Sequence, residues 1–212
     1  MPTAAQVAMP SSTILISGGG TGGHLYPGLA VADVLRDRVD HSGQPRLEIA
    51  FVGSRRPIEE RILSTQCYPH HRLDIESSRS LRTNPLRFLW KYARAVGAAH
   101  QLLAQTQPSV VVGLGGFASV PLLTAANRRR IPTLLLEQNA VPGRATRWLC
   151  RRAAKICVAM AAATSALPRR CADHTYVTGN PVRREISNLH QRPVVRDQPT
   201  LLVIGGSQGA SA

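Results

Sequence analysis

The chain has 212 residues, enough for one large α/β domain or a domain and a piece of another. Hydrophobic residues make up 43% and charged residues 18%, which excludes a disordered chain and predicts a packed core. A formal net charge of +14 favours an anionic partner, but only 4% of residues are aromatic and no zinc-finger or RNA-binding signature is present, which argues against nucleic acid.

Residues 1–12 have no basic start and no apolar run, so they read as a tail rather than a secretory signal. Thr13–Ser17 reads as a buried strand running into Gly18-Gly-Gly-Thr-Gly-Gly-His24, and a helix follows through Pro27–Leu35, ending near Arg38. Gly18, Gly20 and Gly23 have the G-x-G-x-x-G spacing of a turn that lets a phosphate approach the backbone at a helix start. A P-loop would need Lys and Ser/Thr after the last glycines, and His24 stands there instead. The second strand, Leu47–Val52, leads into Gly53-Ser-Arg-Arg56 with no acid to hold a ribose, which disfavours NAD.

Pro57–Ser64 reads as a helix in which Ile58, Ile62 and Leu63 are apolar and Glu59, Glu60 and Arg61 polar, and Tyr68–Ile75 as a short strand. Asn84 is placed to cap a helix with Pro85 at its first position. On that helix Leu86, Leu89, Trp90, Ala93 and Val96 form one face and Arg87, Lys91 and Arg94 the other, with Phe88 and Tyr92 at the flank. Two readings are open: a surface helix with its apolar face in the core, or a basic-aromatic patch resting on an anionic membrane.

Ser109–Phe117 is a second strand and glycine turn, followed by a helix from Ala118 to Arg128 whose end carries Arg128-Arg-Arg130. The uncharged run 109–127 is shorter than the roughly 20 apolar residues of a membrane span and is broken by glycines and Pro121, so any membrane contact is peripheral. Ile131–Asn139 reads as a buried strand ending in Glu137, Gln138 and Asn139, which places those three where open α/β sheets bind ligands. A helix (Pro142–Arg151), a strand (Lys155–Met160), a turn with a short helix (Ala161–Leu167) and a strand (Thr175–Thr178) follow. Gly179-Asn-Pro-Val-Arg183 stops that strand, and Arg183 and Arg184 are placed to clamp a phosphate. Residues 187–199 read as a linker, and 200–212 as the first strand and glycine-rich turn of a second, truncated domain. The four cysteines show no C-x-x-C or zinc spacing and read as reduced thiols.

Five blocks in order carry a family resemblance: Gly19–His24 with Pro27–Ala32, Gly113–Phe117, Glu137–Gly143, Gly179–Arg183 and Gly205–Ala210. With them the chain resembles the N-terminal half of the MurG-type glycosyltransferases of peptidoglycan synthesis. The resemblance implies an α/β, Rossmann-like parallel sheet with helices on both faces, the N-terminal domain (13–186) of a GT-B enzyme whose two domains face a cleft. It implies transfer of N-acetylglucosamine from UDP-N-acetylglucosamine to undecaprenyl-pyrophosphoryl-N-acetylmuramoyl-pentapeptide, lipid I to lipid II, with inversion and without a metal or other cofactor. Donor contacts map onto Thr21, Gly22, Gly23, Asn139, Arg183 and Ser207, and His24 onto the catalytic base. Gly20, Gly115, Gly116, Phe117, Glu137 and Gln138 become acceptor or neighbouring candidates. Leu86, Phe88, Leu89, Trp90, Lys91 and Arg94 become a membrane patch, which puts the protein on the cytoplasmic face of a bacterial inner membrane. Phe117 departs from the tyrosine of many members, and Leu136 from the histidine of some. With the uridine pocket missing, this chain by itself is expected to transfer poorly. The alternatives are a related transferase with another lipid acceptor and a non-catalytic module that binds lipid pyrophosphate.

Overall fold

The computed structural model describes residues 12–19, 22–37, 47–75, 80–188 and 201. Within them, strands β1 (Ser12–Ser17), β2 (Leu47–Gly53), β3 (His70–Arg72), β4 (Val110–Gly113), β5 (Thr133–Glu137), β6 (Lys155–Val158) and β7 (Thr175–Val177) form one parallel sheet, ordered β3-β2-β1-β4-β5-β6-β7. The order reverses between β1 and β4, where Ser17 pairs with both Val52 and Gly113. Beyond the carboxyl ends of those two strands lies the crevice that such sheets use for ligands.

The helices follow in chain order: α1 (Gly22–Arg36), α2 (Pro57–Leu63), α3 (Ser80–Thr83), α4 (Pro85–Thr106), α5 (Val120–Arg128), α6 (Arg144–Leu149), α7 (Ala161–Ser165) and α8 (Arg184–Ser187). Alternation along the strands sorts the core into two layers. Ile14, Ile16, Phe51, Val112 and Leu136 pack with Leu25 and Leu29 of α1 and Ile62 and Leu63 of α2. Leu15, Val111, Leu135 and Ile156 pack on the other face with Ala99 and Leu103 of α4 and Leu122 and Leu123 of α5. Both faces of the sheet are covered, as the strand-helix alternation predicts.

Some elements differ from expectation. The third strand is three residues long, and α6 ends at Leu149 with a tight 3-10 turn over Cys150–Arg152. The single turns α3 and α8, and a 3-10 stretch over Arg169–His174, are too short to leave a periodic signal. The cap of α4 is as the sequence predicts: Asn84 accepts from the Arg87 amide, and Pro85 opens the helix.

The buried face of α4 is a correction. Phe88, Ala95, Val96, Ala99, Leu102 and Leu103 are buried, whereas Leu86, Leu89, Trp90 and Ala93 face outward. Two apolar stripes run side by side on the first half of this helix. Only the Phe88 stripe continues through Ala99 to Leu103, so the longer stripe takes the core. Phe88 therefore leaves the surface patch, and its ring packs against Tyr92 and Phe117 at 6.4 and 5.4 Å. Glu59, one of the polar positions of α2, has its side chain fully buried.

Candidate functional site

The crevice at the β1/β4 crossover is built from two glycine turns and the first turn of α1. That helix begins at Gly22, so His24 stands in its first turn, where the amide N–H groups have no intrahelical acceptor. Pro27 sits inside α1 and removes the N–H that would bond the Gly23 carbonyl. The positive end of a 15-residue helix thus faces the crevice.

The turn after β4 closes on His24. Gly115 and Gly116 have φ of +84° and +71°, a conformation that side chains resist. A Cβ on Gly115 would lie 3.4 Å from His24 Cδ2, and one on Gly116 would lie 3.3 Å from the Gly19 carbonyl. The imidazole is therefore held against bare backbone. Burial lowers the His24 pKa from its ordinary value of 6.5, and the nearby Glu137 charge partly opposes that shift. The ring is neutral at pH 7 and able to take a proton.

Glu137 ends β5, is buried, and accepts four hydrogen bonds. They come from the Asn139 amide (3.1 Å), Asn139 Nδ2 (2.9 Å), the Gly143 amide (3.0 Å) and Thr146 Oγ1 (2.5 Å). Its carboxylate fixes the loop from Asn139 to Gly143 and seats α6. Asn139 is exposed, and its side-chain nitrogen donates to Glu137. Gln138 lies beside the Gly115 turn with both amide atoms buried and without a hydrogen-bond partner among the described residues.

Arg183 comes from the far end of the sheet. Its guanidinium lies over the Tyr26 ring, 4.6 Å from the centroid, and Arg184 pairs with Asp37 at the other end of α1. The segment after β7 is thereby laid along α1, with Arg183 near the helix start. Tyr26 also covers Gly22, whose Cβ would meet Tyr26 Cε2 at 3.2 Å.

Among the residues expected from sequence, the structure brings together Gly115, Gly116, Gln138 and His24, with Glu137 charge-coupled to the histidine. Gly22 and Gly23 begin the same helix. Phe117 belongs to the turn, but its ring points toward Phe88 and Tyr92 of α4. Gly20, Thr21 and Ser207, with the tail to residue 11, the linker from 189 and the glycine turn after 204, lie outside the described residues. Among the described residues no His/Cys/Asp/Glu group is arranged to hold a metal ion.

Three supporting residues were missed. Glu59 reaches beneath the first turn: a Cβ on Gly19 would overlap its carboxylate, which also accepts from Ser54 Oγ at 2.5 Å. Thr146 and Tyr26 carry Glu137 and Arg183. The sequence signal for Glu59 was its place two residues after a helix-opening proline, where it reads as an ordinary acid of a first turn.

Residues 14–158 match the glycosyltransferase family 28 N-terminal domain. The chain is 37% identical over 204 residues to the UDP-N-acetylglucosamine--N-acetylmuramyl-(pentapeptide) pyrophosphoryl-undecaprenol N-acetylglucosamine transferase of Leuconostoc mesenteroides, covering 93% of this chain and 54% of that one. It is 40% identical over 201 residues to the same-named protein of Syntrophotalea carbinolica, covering 94% and 53%. The chain thus spans about half the length of the curated relatives it matches. Its fold superposes on the crystal structure of Acinetobacter baumannii MurG with a TM-score of 0.66 and 28% identity, covering 83% of this chain and 47% of that one. A UDP-GlcNAc 2-epimerase from Neisseria meningitidis superposes with a TM-score of 0.58 at 14% identity, covering 80% and 47%, a likeness of fold.

Proposed function

We propose, for a chain that belongs to the glycosyltransferase family 28 N-terminal domain family, that it forms the acceptor side of an enzyme moving N-acetylglucosamine from UDP-N-acetylglucosamine to N-acetylmuramoyl-pentapeptide pyrophosphoryl-undecaprenol. The observation that carries this is the packing of His24 against Gly115 and Gly116 in the crossover crevice. The start of α1 supplies N–H groups and dipole for a pyrophosphate. A neutral His24 beside it takes the proton of the attacking sugar hydroxyl as that oxygen bonds to the anomeric carbon and UDP departs. Asn139 and Arg183 meet the donor from the other side, Arg183 against the charge that develops on the leaving diphosphate.

The acceptor is lipid-linked, and the outward face of α4 suits it. Leu86, Leu89 and Trp90 are 81%, 62% and 57% exposed, and Arg94 lies over the Trp90 ring at 4.7 Å. Apolar side chains flanked by cations are the composition of an interfacial contact with anionic lipid. None of the described helices is long and apolar enough to cross a membrane. We place the protein at the cytoplasmic face of a bacterial plasma membrane, attached by this face.

The test is an assay of label transfer from UDP-N-acetylglucosamine to a soluble acceptor analogue, run with this chain completed to the full length of its relatives. Transfer that falls at least a hundredfold in kcat with His24→Ala supports the reading. Epimerisation or hydrolysis of the donor without transfer overturns it, and full activity of the variant removes His24 as base.

A further inference from the structure

We propose that the cavity at the carboxyl ends of β2 and β3 is a subsite for a carboxylate of the acceptor's peptide, an inference that rests on the acceptor reading of the crevice. The cavity measures about 180 Å³ and is lined by Ser54, Arg55, Arg56, Glu60, His70 and Arg72. That is room for a carboxylate and part of the residue that bears it.

Its position follows from the topology. Ser54–Arg56 leave the end of β2, Arg72 pairs in register with Gly53, and β2 lies next to β1 in the sheet. The cavity therefore opens at the same sheet end as the crevice. Buried Glu59 forms the partition between the two, touching Gly19 on one side and Gly53 on the other. A pyrophosphate at the glycine turn and an anion in this cavity would be two parts of one bound ligand.

Its chemistry is that of an oxyanion receptor. Three arginines line it beside one acid, Glu60, which Arg72 already holds at 2.8 Å. Guanidinium forks match the two oxygens of a carboxylate. His70 lines the cavity with its Nε2 turned toward Gly53 and Glu59, buried and without a hydrogen-bond partner among the described residues. The relatives' acceptor is named as carrying a pentapeptide, and a pentapeptide ends in a carboxylate.

The test is calorimetric titration of this chain with three probes: a soluble acceptor analogue with free peptide carboxylates, the same analogue with every carboxylate amidated, and inorganic pyrophosphate. The free analogue should bind about tenfold more tightly than the amidated one, the scale of one charge-assisted contact. Arg55→Gln and Arg72→Gln should each erase most of that difference and leave pyrophosphate binding unchanged. Both side chains are exposed, and the Arg72–Glu60 pair is a surface one, so the variants should melt like the parent. Equal binding of the two analogues by the parent chain overturns the carboxylate subsite and leaves the acceptor reading standing. Binding of neither removes both. Loss of pyrophosphate binding in the arginine variants overturns the proposal by assigning the cavity to phosphate.

Discussion

The Arg183 guanidinium rests on the face of Tyr26, with 4.6 Å between Cζ and the ring centroid. This places an arginine from the end of the domain above the first turn of its first helix. At an exposed site such a contact contributes about 0.5–1 kcal/mol. Tyr26→Leu should therefore raise the donor KM about three- to fivefold with little change in kcat, and Tyr26→Phe should restore it. Initial-rate kinetics check this, and equal defects in the Leu and Phe variants would show that the ring face is not what matters.

With His24 as the proposed base, its pKa should set the pH behaviour. Burial is the larger influence and lowers its pKa below 6.5, while Glu137 pulls the other way. The acid limb of kcat/KM should accordingly fall below pH 6.5, and Glu137→Gln should move it lower still. The same shift affects stability. A histidine whose folded pKa lies below its unfolded value leaves stability intact above about pH 6.5 and subtracts from it as pH falls toward the folded pKa. His70, also lowered chiefly by burial, adds to the loss. Denaturant midpoints from pH 7 to 5 should decline, and less steeply in His70→Gln.

Thr146 donates to Glu137 at 2.5 Å in a buried setting. Thr146→Val removes that donor without changing shape and should cost about 1–3 kcal/mol. Thr146→Ser should recover most of it. Urea titration of the three proteins measures the difference.

Gly19 and Glu59 compete for one volume. A methyl group at residue 19 would overlap the carboxylate, so Gly19→Ala should destabilise by about 1–3 kcal/mol. In the double variant with Glu59→Ala the space is open, and the combined loss should be smaller than the sum of the two singles. Strict additivity would mean that the two residues do not meet.

The two stripes of α4 should separate in experiment. Leu89→Glu with Trp90→Glu should weaken sedimentation with anionic vesicles about tenfold and leave the thermal midpoint in place, since both side chains are exposed. Phe88→Ala should do the reverse, with a loss of about 3 kcal/mol from the aromatic cluster and vesicle binding retained.

Much of this was legible because the signals were strong and local. The β1, β4 and β5 strands are continuous apolar runs ending in glycine or polar residues, and the Asn84-Pro85 start of α4 is written in two residues. Gln138 was placed by its position at a strand's carboxyl end, and Gly115 and Gly116 by the family resemblance, and the three meet around His24. What escaped was set by packing over long sequence distances. Which apolar stripe of α4 is buried depends on the length of the groove beneath it. Glu59 is inside because Gly19 and Gly53, distant in sequence, leave a hole of its shape. Tyr26 gains its role only when residue 183 arrives.

The crossover between β1 and β4 also bears on how the chain is made. Ser109, at the entrance to β4, bonds to Thr13 across 96 residues of sequence. A ribosome that has released β1, β2 and β3 has therefore produced half a sheet, with one apolar edge of β1 still open. That edge stays exposed until Val110–Gly113 emerges to pair with it. Such an edge is a template for joining other chains. Nascent chains stopped before residue 113 should aggregate, and those carried past β7, with the sheet complete, should remain dispersed. The strand order that creates the ligand crevice thus also sets the interval in which the newborn protein most needs protection.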